Sequence, residues 1–457
     1  MTFNHSFDII YMLKKKYKRS ESSVMNNYNK IISNMEEKIK NFSNKISKGI
    51  ETKKKRDFVF EMIYGLLASS SCHLSEIGRS LNENITLKAL VKRLSRNLDE
   101  FNNGKEIESV YEDVRNKIIF ENYEEEIKNK IDENTVFCFD PGDLTKKWTS
   151  KFEGIDIIKD GSTGEYNPGY HMIEVAGLSK TEKLPIPVYT RLFSAKEEGF
   201  VSTNDEYLKA IEYLGEKYEK RGIYALDRGF DDKKYFEKFT ILGLNFVIRM
   251  KKNRDVTNAN SGIVENIKKK SKRVKMKWSY KYKNKKGITK TAYTGYMKIK
   301  IPDIEDRTFY LVVIKSEDFP NDPMMLLTNI MPENDEFTKI VNKVYIRRWK
   351  IEEYFRFKKQ QFGFEKEMVR TLNSIRTLNV FLTIVIGFIG VFSDKQKNIQ
   401  YLVVFEASIS LKKNKDIVLV FYAVERGLKK IFTYNLNGIK NKKEKGRKQV
   451  DMQLSLF

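Results

Sequence analysis

Two short apolar runs, each followed by an aspartate, most constrain the fold that this chain can adopt. Residues 136–139 read Val-Phe-Cys-Phe and stop at Asp140, and residues 223–226 read Ile-Tyr-Ala-Leu and stop at Asp227. Short apolar runs of this kind are typical of buried strands. In open α/β sheets, binding and catalytic side chains favour the C-terminal ends of strands, where the chain leaves the sheet beside a crevice. The two runs therefore predict an α/β sheet that presents carboxylates at its strand ends.

Both aspartates have alternative explanations. An aspartate after a strand is often a turn residue or the N-cap of a helix. Asp231, which precedes a predicted helix, is better interpreted in that way. Asp143 is an alternative to Asp140 and lies only three residues further on. We favour Asp140 because it ends the predicted strand directly.

A helix predicted over residues 336–360 carries four polar residues on one face. Tyr345, Arg348, Glu352 and Lys359 are spaced by three, four and seven residues. At 3.6 residues per turn they stay within a stripe of about 60°. A carboxylate flanked by two cations and a phenol can bind a metal ion and phosphate oxygens. Taken alone, such a quartet is more often a solvated helix face with i,i+4 ion pairs.

Together, the two strand-end aspartates and this helix resemble the bacterial cut-and-paste insertion-sequence transposases, a family of DDE transposases with a Tyr-Arg-Glu-Lys signature. The family's three blocks here are Asp140, the segment 227–231 and the pattern Tyr345-x2-Arg348-x3-Glu352-x6-Lys359. The resemblance covers about residues 57–395. It implies an α/β fold with a ribonuclease H-like mixed sheet and flanking helices. A β-rich insertion would interrupt the sheet, and a helical DNA-binding region would precede it.

The resemblance also implies a chemistry, namely metal-dependent cleavage of transposon ends and strand transfer through a hairpin intermediate. Asp140, Asp227 and Glu352 would be the catalytic residues and would bind two Mg²⁺ ions, for which Mn²⁺ can substitute. Carboxylate oxygens suit such hard cations, and two ions about 3.5–4 Å apart can activate water or a 3′-hydroxyl. Contacts to phosphates around the cleaved DNA end would come from Tyr345, Arg348 and Lys359.

Other reaction types have less support in the sequence. The chain has three histidines, and none lies in these blocks, so a histidine-activated nucleophile is not indicated. No Gly-x4-Gly-Lys-Ser/Thr loop occurs, which argues against a nucleotide-driven motor. Two alternatives stay open: a domesticated DDE nuclease in DNA repair or defence, and a non-catalytic DNA-binding regulator.

The charge balance favours nucleic acid as a partner. Lys and Arg number 85 against 61 Asp and Glu, which gives a net charge of +24. A clustered excess of this size favours a polyanion bound through salt-sensitive phosphate contacts, although a merely soluble basic protein is the alternative. The resemblance implies double-stranded DNA, as inverted-repeat ends and as target, and a homodimer in the synaptic complex.

Membrane and disulfide signals are weak. The longest apolar run, Val380–Phe392, is too short to cross a bilayer and is interpreted as a buried helix. No signal peptide is recognisable, so a cytoplasmic, nucleoid-associated protein is expected. Cys72 and Cys138 lie in different predicted regions and predict neither a disulfide framework nor a zinc site.

The pattern of elements and the resemblance together predict seven regions along the chain. They are a basic helical arm (1–56), a helical, helix-turn-helix-like DNA-binding region (57–128), the first part of the ribonuclease H-like core (129–250), a β-rich insertion (251–330), the second part of the core with the glutamate helix (331–395), C-terminal helices (396–435) and a disordered basic tail (436–457).

Two of these regions carry further DNA-binding candidates. The predicted helix 87–98 presents Lys92, Arg93 and Arg96 beside an apolar stripe, as in a helix-turn-helix unit, although a plain helical bundle shares that pattern. In the insertion, Trp278 follows a run of lysines. The resemblance implies that such a tryptophan holds a nucleotide flipped out of the DNA end. An amphipathic hairpin with aromatic cross-strand pairs is the alternative.

The last five residues form a candidate peptide for partner binding. Gln453, Leu454, Leu456 and Phe457 follow a basic stretch and resemble the Gln-Leu-x-Leu-Phe peptide through which bacterial replication proteins bind the sliding clamp. A short apolar anchor on a polar tail can dock into an apolar pocket of another protein. The alternative is that this apolar end packs onto its own domain.

Overall fold

Five helices begin the part of the chain that the structure describes. In this computed structural model that part comprises residues 21–102, 114–147, 151–161, 163–179, 185–283, 287–395 and 420–433. The helices are α1 (Glu21–Ile46), α2 (Lys53–Ser69), α3 (Leu74–Leu81), α4 (Leu87–Asp99) and α5 (Val114–Ile127). Helices α3, α4 and most of α2 lie in the region predicted to be helical (57–128), and α4 corresponds to the helix predicted at 87–98. Helix α2 begins at Lys53 because the Thr52 side chain caps it by accepting a hydrogen bond from the Lys55 N–H.

A mixed sheet of twelve strands lies at the centre of the described residues. Its first part comprises β1 (Val136–Thr145), β2 (Asp156–Lys159), β3 (Tyr166–Leu178), β4 (Ile186–Phe193), α6 (Thr203–Lys217), β5 (Ile223–Leu226), α7 (Lys233–Leu242) and β6 (Asn245–Arg249). Strand β1 pairs antiparallel with β3 and parallel with β5, and β5 pairs parallel with β6. The strand order here is β4–β3–β1–β5–β6. This arrangement confirms the predicted mixed α/β class.

The predicted insertion continues the same sheet and does not form a separate one. It comprises β7 (Asp255–Asn258), β8 (Val264–Asn266), α8 (Ile267–Lys272), β9 (Trp278–Lys283), β10 (Thr289–Ile301), β11 (Ile304–Ser316) and β12 (Phe319–Thr328). The last strand returns to the core, where β12 pairs antiparallel with β6 from Leu326↔Arg249 to Thr328↔Val247. The order therefore runs on without a break as β6–β12–β11–β10–β7–β8.

The prediction of one continuous helix over residues 336–360 is wrong. The structure has α9 (Phe337–Arg347), a turn at Arg348–Trp349, α10 (Lys350–Arg356) and a π-helical turn (Phe357–Gln361). At the break, Arg348 N–H and Trp349 N–H donate to carbonyls three residues earlier, which tightens the chain locally. The π-helical turn, in contrast, widens it, and π turns of this kind are frequent at functional sites.

Two further helices complete the described residues, α11 (Leu372–Lys395) and α12 (Val420–Thr433). Helix α11 contains a 20-residue window, Leu372–Val391, that is long and apolar enough to cross a membrane, so its apolar length exceeds the predicted 13-residue run. In the structure 83% of that window is buried inside the protein. A core helix passes the same length test, and the burial favours that explanation.

Several predicted features lie outside the described residues. They are residues 1–20 of the predicted basic helical arm, residues 396–419 of the predicted C-terminal helices, and the C-terminal peptide with Gln453, Leu454, Leu456 and Phe457.

Candidate active site

Asp140 and Asp227 lie next to each other where the parallel strands β1 and β5 separate. The β1–β5 pairing ends at Cys138↔Ala225. Each aspartate is two residues beyond that pair, Asp140 within β1 and Asp227 directly after β5. Because paired strands are about 4.8 Å apart, residues just beyond the last pair start from neighbouring positions, and the charge of Asp227 acts on Asp140. The sheet therefore brings together two acids that are far apart in the sequence.

The prediction that β1 ends at Asp140 is wrong. Strand β1 continues to Thr145 because the long strand β3 pairs with it as far as Thr145↔Gly169. Asp140 itself lies opposite Glu174 in this pairing. Pairing uses backbone groups, which do not require apolar side chains. What ends here is the pairing with β5, and that end leaves space beside β1.

Asp227 follows β5 directly and is also a helix cap. Its side chain accepts a hydrogen bond of 2.8 Å from the Gly229 N–H at the start of the 3-10 turn Arg228–Phe230. A Cβ at Gly229 would lie 3.0 Å from Asp227 Oδ1, so a glycine keeps this approach unhindered. The capping role and the candidate ligand role are compatible, because one carboxylate oxygen is left for another contact.

Arg348 connects the strand acid to the helix acid. Its Nη1 lies 3.6 Å from Asp140 Oδ1, and its Nη2 lies 3.6 Å from Glu352 Oε1. The guanidinium also lies over the ring of Tyr345, 5.8 Å from its centroid. Tyr345 is only 2% exposed, so in this structure it supports Arg348 and does not face solvent. Four predicted residues therefore converge: Asp140, Tyr345, Arg348 and Glu352.

The charges at this site act on one another. The pKa of Asp140 is raised to about 7, chiefly by burial; Arg348 opposes this shift, while Asp227 and Glu352 contribute to it. Burial alone would lower the pKa of Arg348, but the nearby carboxylates, chiefly Asp140, outweigh it and raise that pKa. The negative charges of the three carboxylates therefore act on one another, and Arg348 is their counter-ion.

The carboxylate oxygens of Asp140, Asp227 and Glu352 suit a hard divalent cation, but in this structure the side chains are spaced as in a cluster of ion pairs. Among the described residues, no three His, Cys, Asp or Glu side chains are close enough together to hold a metal ion. Between Asp140 and Glu352 the positive charge comes from Arg348. A divalent cation bound by both carboxylates would therefore take over a charge that Arg348 now supplies.

Lys359 lies against acids of its own chain. Its Nζ is 3.1 Å from Asp143 Oδ2 and 3.4 Å from Glu365 Oε1. Asp143, the alternative first ligand, also accepts a hydrogen bond from the Gly161 N–H at 3.2 Å. Since Asp143 already has two partners and Asp140 faces Arg348, the geometry favours Asp140 as the acid nearest Glu352.

Asp231 lies at the end of the 3-10 turn Arg228–Phe230, so the interpretation as a turn residue holds, but it is not the N-cap of the following helix. Asp232 is the N-cap of α7, where its side chain accepts a hydrogen bond from the Lys234 N–H. Asp231 is 1% exposed and its Oδ1 lies 2.8 Å from Arg254 Nε. A buried acid needs a charged partner, and Arg254 lies 23 residues away in the sequence, so local pattern could not identify it.

The three basic candidates on α4 have different environments. Lys92 and Arg96 are exposed. Arg93 forms ion pairs with Glu61 at 3.1 Å and Glu83 at 2.6 Å. The hydrogen bond to Glu83 raises the pKa of Arg93. Lys92 and Arg96 are therefore available to phosphates, whereas Arg93 holds α4 to its neighbours.

Trp278 is partly buried and already stacked. Its ring is parallel to that of Tyr296, with centroids 5.7 Å apart and an interplanar angle of 6°. Tyr296 in turn packs edge-on against Phe337 at the start of α9. The cross-strand aromatic contact proposed as the alternative is therefore present, and Trp278 is connected through it to the helix that leads to Arg348.

Two residues beside the site were not predicted from the sequence. Glu174, opposite Asp140, and Lys358, next to Lys359, are both fully buried and paired with each other. An acid within the apolar stretch Met-Ile-Glu-Val-Ala at 172–176 is the signal that could have identified Glu174.

One comparison with known proteins supports a transposase domain. Residues 197–388 match the model of the family described as the transposase DDE domain; the match includes Asp227 and Glu352 and stops short of Asp140. It supports a DDE-type transposase. A search of curated proteins found none that matches this chain. Among solved structures, a piggyBac transposase synaptic complex with hairpin DNA is similar at 12% identity and a TM-score of 0.42, over 86% of this chain and 74% of that one.

Proposed function

We propose that this protein is a DDE-type DNA transposase that cleaves the ends of its element and joins them to target DNA. The observation that carries the proposal is the convergence of Asp140 and Glu352 on the Arg348 guanidinium at the end of the parallel strands, where the charge of Asp227 also acts on Asp140 and Arg348. The family match over residues 197–388 supports the same reaction class. The strand order β4–β3–β1–β5–β6, with β3 antiparallel to the rest of the central strands, supports a ribonuclease H-like core.

The proposed role of each side chain at the site follows from its charge and its position. Asp140, Asp227 and Glu352 would hold two Mg²⁺ or Mn²⁺ ions, which supply the activation of water or a 3′-hydroxyl when bound. Arg348 contacts Asp140, and Lys359 contacts the neighbouring acid Asp143 while its charge acts on Asp140. Both cations are therefore suited to bind phosphate oxygens of the DNA end. The break after α9 lets Arg348 lie between two acids while Glu352 lies in the first turn of the next helix.

The DNA-binding surface would extend beyond the catalytic acids. Lys92 and Arg96 are exposed on a basic helix, which supports phosphate contacts by the N-terminal helices. Trp349 is 49% exposed directly after Arg348, and an exposed aromatic beside a cation suits stacking against a base. The hairpin route, the bacterial Tyr-Arg-Glu-Lys subgroup, the homodimer and the sliding-clamp contact are further parts of this proposal that rest on the sequence resemblance.

A cleavage assay tests the proposal. The substrate is a labelled duplex that carries an inverted repeat found beside the gene, incubated with the full chain and Mn²⁺ or Mg²⁺. We expect nicking at the repeat end, followed by joining to a target plasmid, and no reaction by Asp227→Asn. Cleavage without joining would indicate a nuclease, and binding without cleavage would indicate a regulator; either result would overturn the proposal.

A further inference from the structure

A lysine and a glutamate form a fully buried ion pair beneath the candidate active site. Lys358 Nζ lies 2.6 Å from Glu174 Oε1, and neither side chain has any solvent exposure. Burial lowers the pKa of Lys358, and Glu174 opposes that shift. Removing two charges from water is costly unless each is paired and hydrogen-bonded. The pair therefore needs an environment that satisfies both groups.

That environment is built from several elements of the core. Glu174 also accepts hydrogen bonds from Tyr354 Oη at 2.8 Å and from Thr190 Oγ1 at 2.7 Å. Lys358 also donates to Thr383 Oγ1 at 2.8 Å. The network thus joins β3, β4, α10, the π-helical turn and α11. Because every link is short, and all but the partly buried Thr190 link are fully buried, the network restricts how these elements can move relative to one another.

The network lies between the two elements that carry candidate metal ligands. Glu174 is the residue directly opposite Asp140 in the β1–β3 pairing, and directly opposed residues in an antiparallel pair have Cβ atoms about 4.5–5.5 Å apart. Tyr354, which donates to Glu174, is two residues after Glu352 on α10. One carboxylate of the candidate site is therefore fixed through its strand partner, and the other is fixed through its own helix.

The π-helical turn gives Lys358 and Lys359 different partners. Lys358 is buried on Glu174, whereas the next residue, Lys359, contacts Asp143 at 3.1 Å. An additional residue in the turn changes the direction of every side chain after it. Anchoring Lys358 in the core therefore also determines where Lys359 is presented.

We propose that the Glu174–Lys358 pair is a positioning element, which sets the separation of Asp140 and Glu352 without itself touching metal or DNA. This inference rests on the proposed transposase function. A pair that served stability alone would be replaceable by uncharged side chains of similar shape, because such replacements are often neutral or stabilising. A positioning pair would not be replaceable in that way, because its geometry, and not only its net charge, holds the two elements.

The test compares Glu174→Gln, Lys358→Met and the double variant in the full chain. The single variants each leave a buried charge or polar group unmatched, so we expect lower melting temperatures. The double variant should recover the melting temperature. Its affinity for Mn²⁺, measured by titration calorimetry of the DNA-bound protein, should fall by about 10- to 100-fold, as for other residues that orient metal ligands. Its affinity for DNA should stay within about twofold, because no phosphate contact is lost.

A matched control separates position from burial. Glu124 on α5 and Lys217 on α6 form another pair with a fully buried acid, 3.2 Å apart. The double variant Glu124→Gln with Lys217→Met should leave Mn²⁺ affinity unchanged. If the Glu174–Lys358 double variant folds, binds Mn²⁺ and cleaves DNA like the wild type, the positioning role is refuted.

A second variant keeps the inference testable if the double variant does not fold. Tyr354→Phe removes only the hydroxyl that donates to Glu174. A several-fold loss of Mn²⁺ affinity at an unchanged melting temperature would support the inference, and unchanged affinity would overturn it. Failure of the proposed function gives a different result, because the wild type and Asp227→Asn would then show the same Mn²⁺ affinity and the same cleavage.

Discussion

Gly142 lies on β1 two residues after Asp140, where the ring of Phe355 from α10 packs against it. A Cβ at this position would lie 2.7 Å from Phe355 Cε1 and 2.9 Å from Cζ. Carbon atoms in contact are normally about 3.5–4.0 Å apart, so Gly142→Ala requires the ring or its helix to retreat by about 1 Å. Phe355 is one turn after Glu352 on the same helix. We therefore expect α10 to move away from β1, separating Glu352 from Asp140.

The expected effect is larger on catalysis than on folding. Overpacking of this kind typically costs about 1–3 kcal/mol of stability, whereas a misplacement of about 1 Å at a reacting centre can slow a reaction by about 10²-fold. Single-turnover cleavage of an end duplex and thermal unfolding measure the two effects separately. DNA affinity should stay within about twofold, because Gly142 is not a proposed phosphate contact.

Two further variants decide how this result is interpreted. Phe355→Leu in the Gly142→Ala background removes the clashing ring atoms and should restore most of the cleavage rate. Gly390→Ala in α11 is the control, because its Cβ would meet only ordinary contacts at 3.5 Å or more, and alanine favours a helix by about 1 kcal/mol over glycine. If Gly142→Ala cleaves at the wild-type rate, the ring yields without moving α10 and the reasoning is refuted.

Three other predictions concern the metal ligands, the DNA surface and pH. Asp227→Asn should abolish cleavage and leave DNA binding in gel shifts within about twofold, because a ligand and not a phosphate contact is lost; residual cleavage would remove Asp227 from the site. Lys92→Ala and Arg96→Ala should each reduce the slope of log affinity against log salt by about one unit, whereas Arg93→Ala should lower the melting temperature without changing that slope. Burial raises the pKa of Glu124 from 4.5 to about 7, so its contribution to stability is complete below pH 4.5 and is lost as pH rises through 7. The melting temperature of Glu124→Gln minus that of the wild type should therefore be larger at about pH 8 than at about pH 5. The same melting-temperature difference at both pH values would contradict this prediction.

The sequence predicted most of the elements that depend on side-chain periodicity. Helix α4 follows from its apolar stripe, and β5 follows from an apolar run bounded by Asp227. The extent of β1 could not be predicted in that way, because residues 141–145 are held by backbone pairing with β3. The pairing of β12 with β6 could not be predicted either, because the apolar pattern of a strand shows which side is buried but not which strand lies beside it.

The site was predicted where spacing along one helix decides which residues meet. Tyr345, Arg348 and Glu352 are close together because three- and four-residue spacings keep side chains on one face, even across the break at the end of α9. Spacing does not predict the acidic partners of Lys359, which lies within the π-helical turn, or those of Arg93, which come from other elements. Long-range pairing of buried charges has no local signal in a single sequence.

The continuous sheet has a consequence for the synthesis of this protein. The edge of β6, with the apolar residues Phe246, Val247 and Ile248, is covered by β12, which ends at Thr328, 79 residues after Arg249. At about 5–20 residues per second on the ribosome, this edge stays uncovered for several seconds after β6 has been made. An open apolar strand edge is a template for pairing with other chains. The nascent chain is therefore most exposed to aggregation while its insertion is being translated, and substitutions that slow the pairing of β12 should lower the yield of soluble protein even where the finished fold tolerates them.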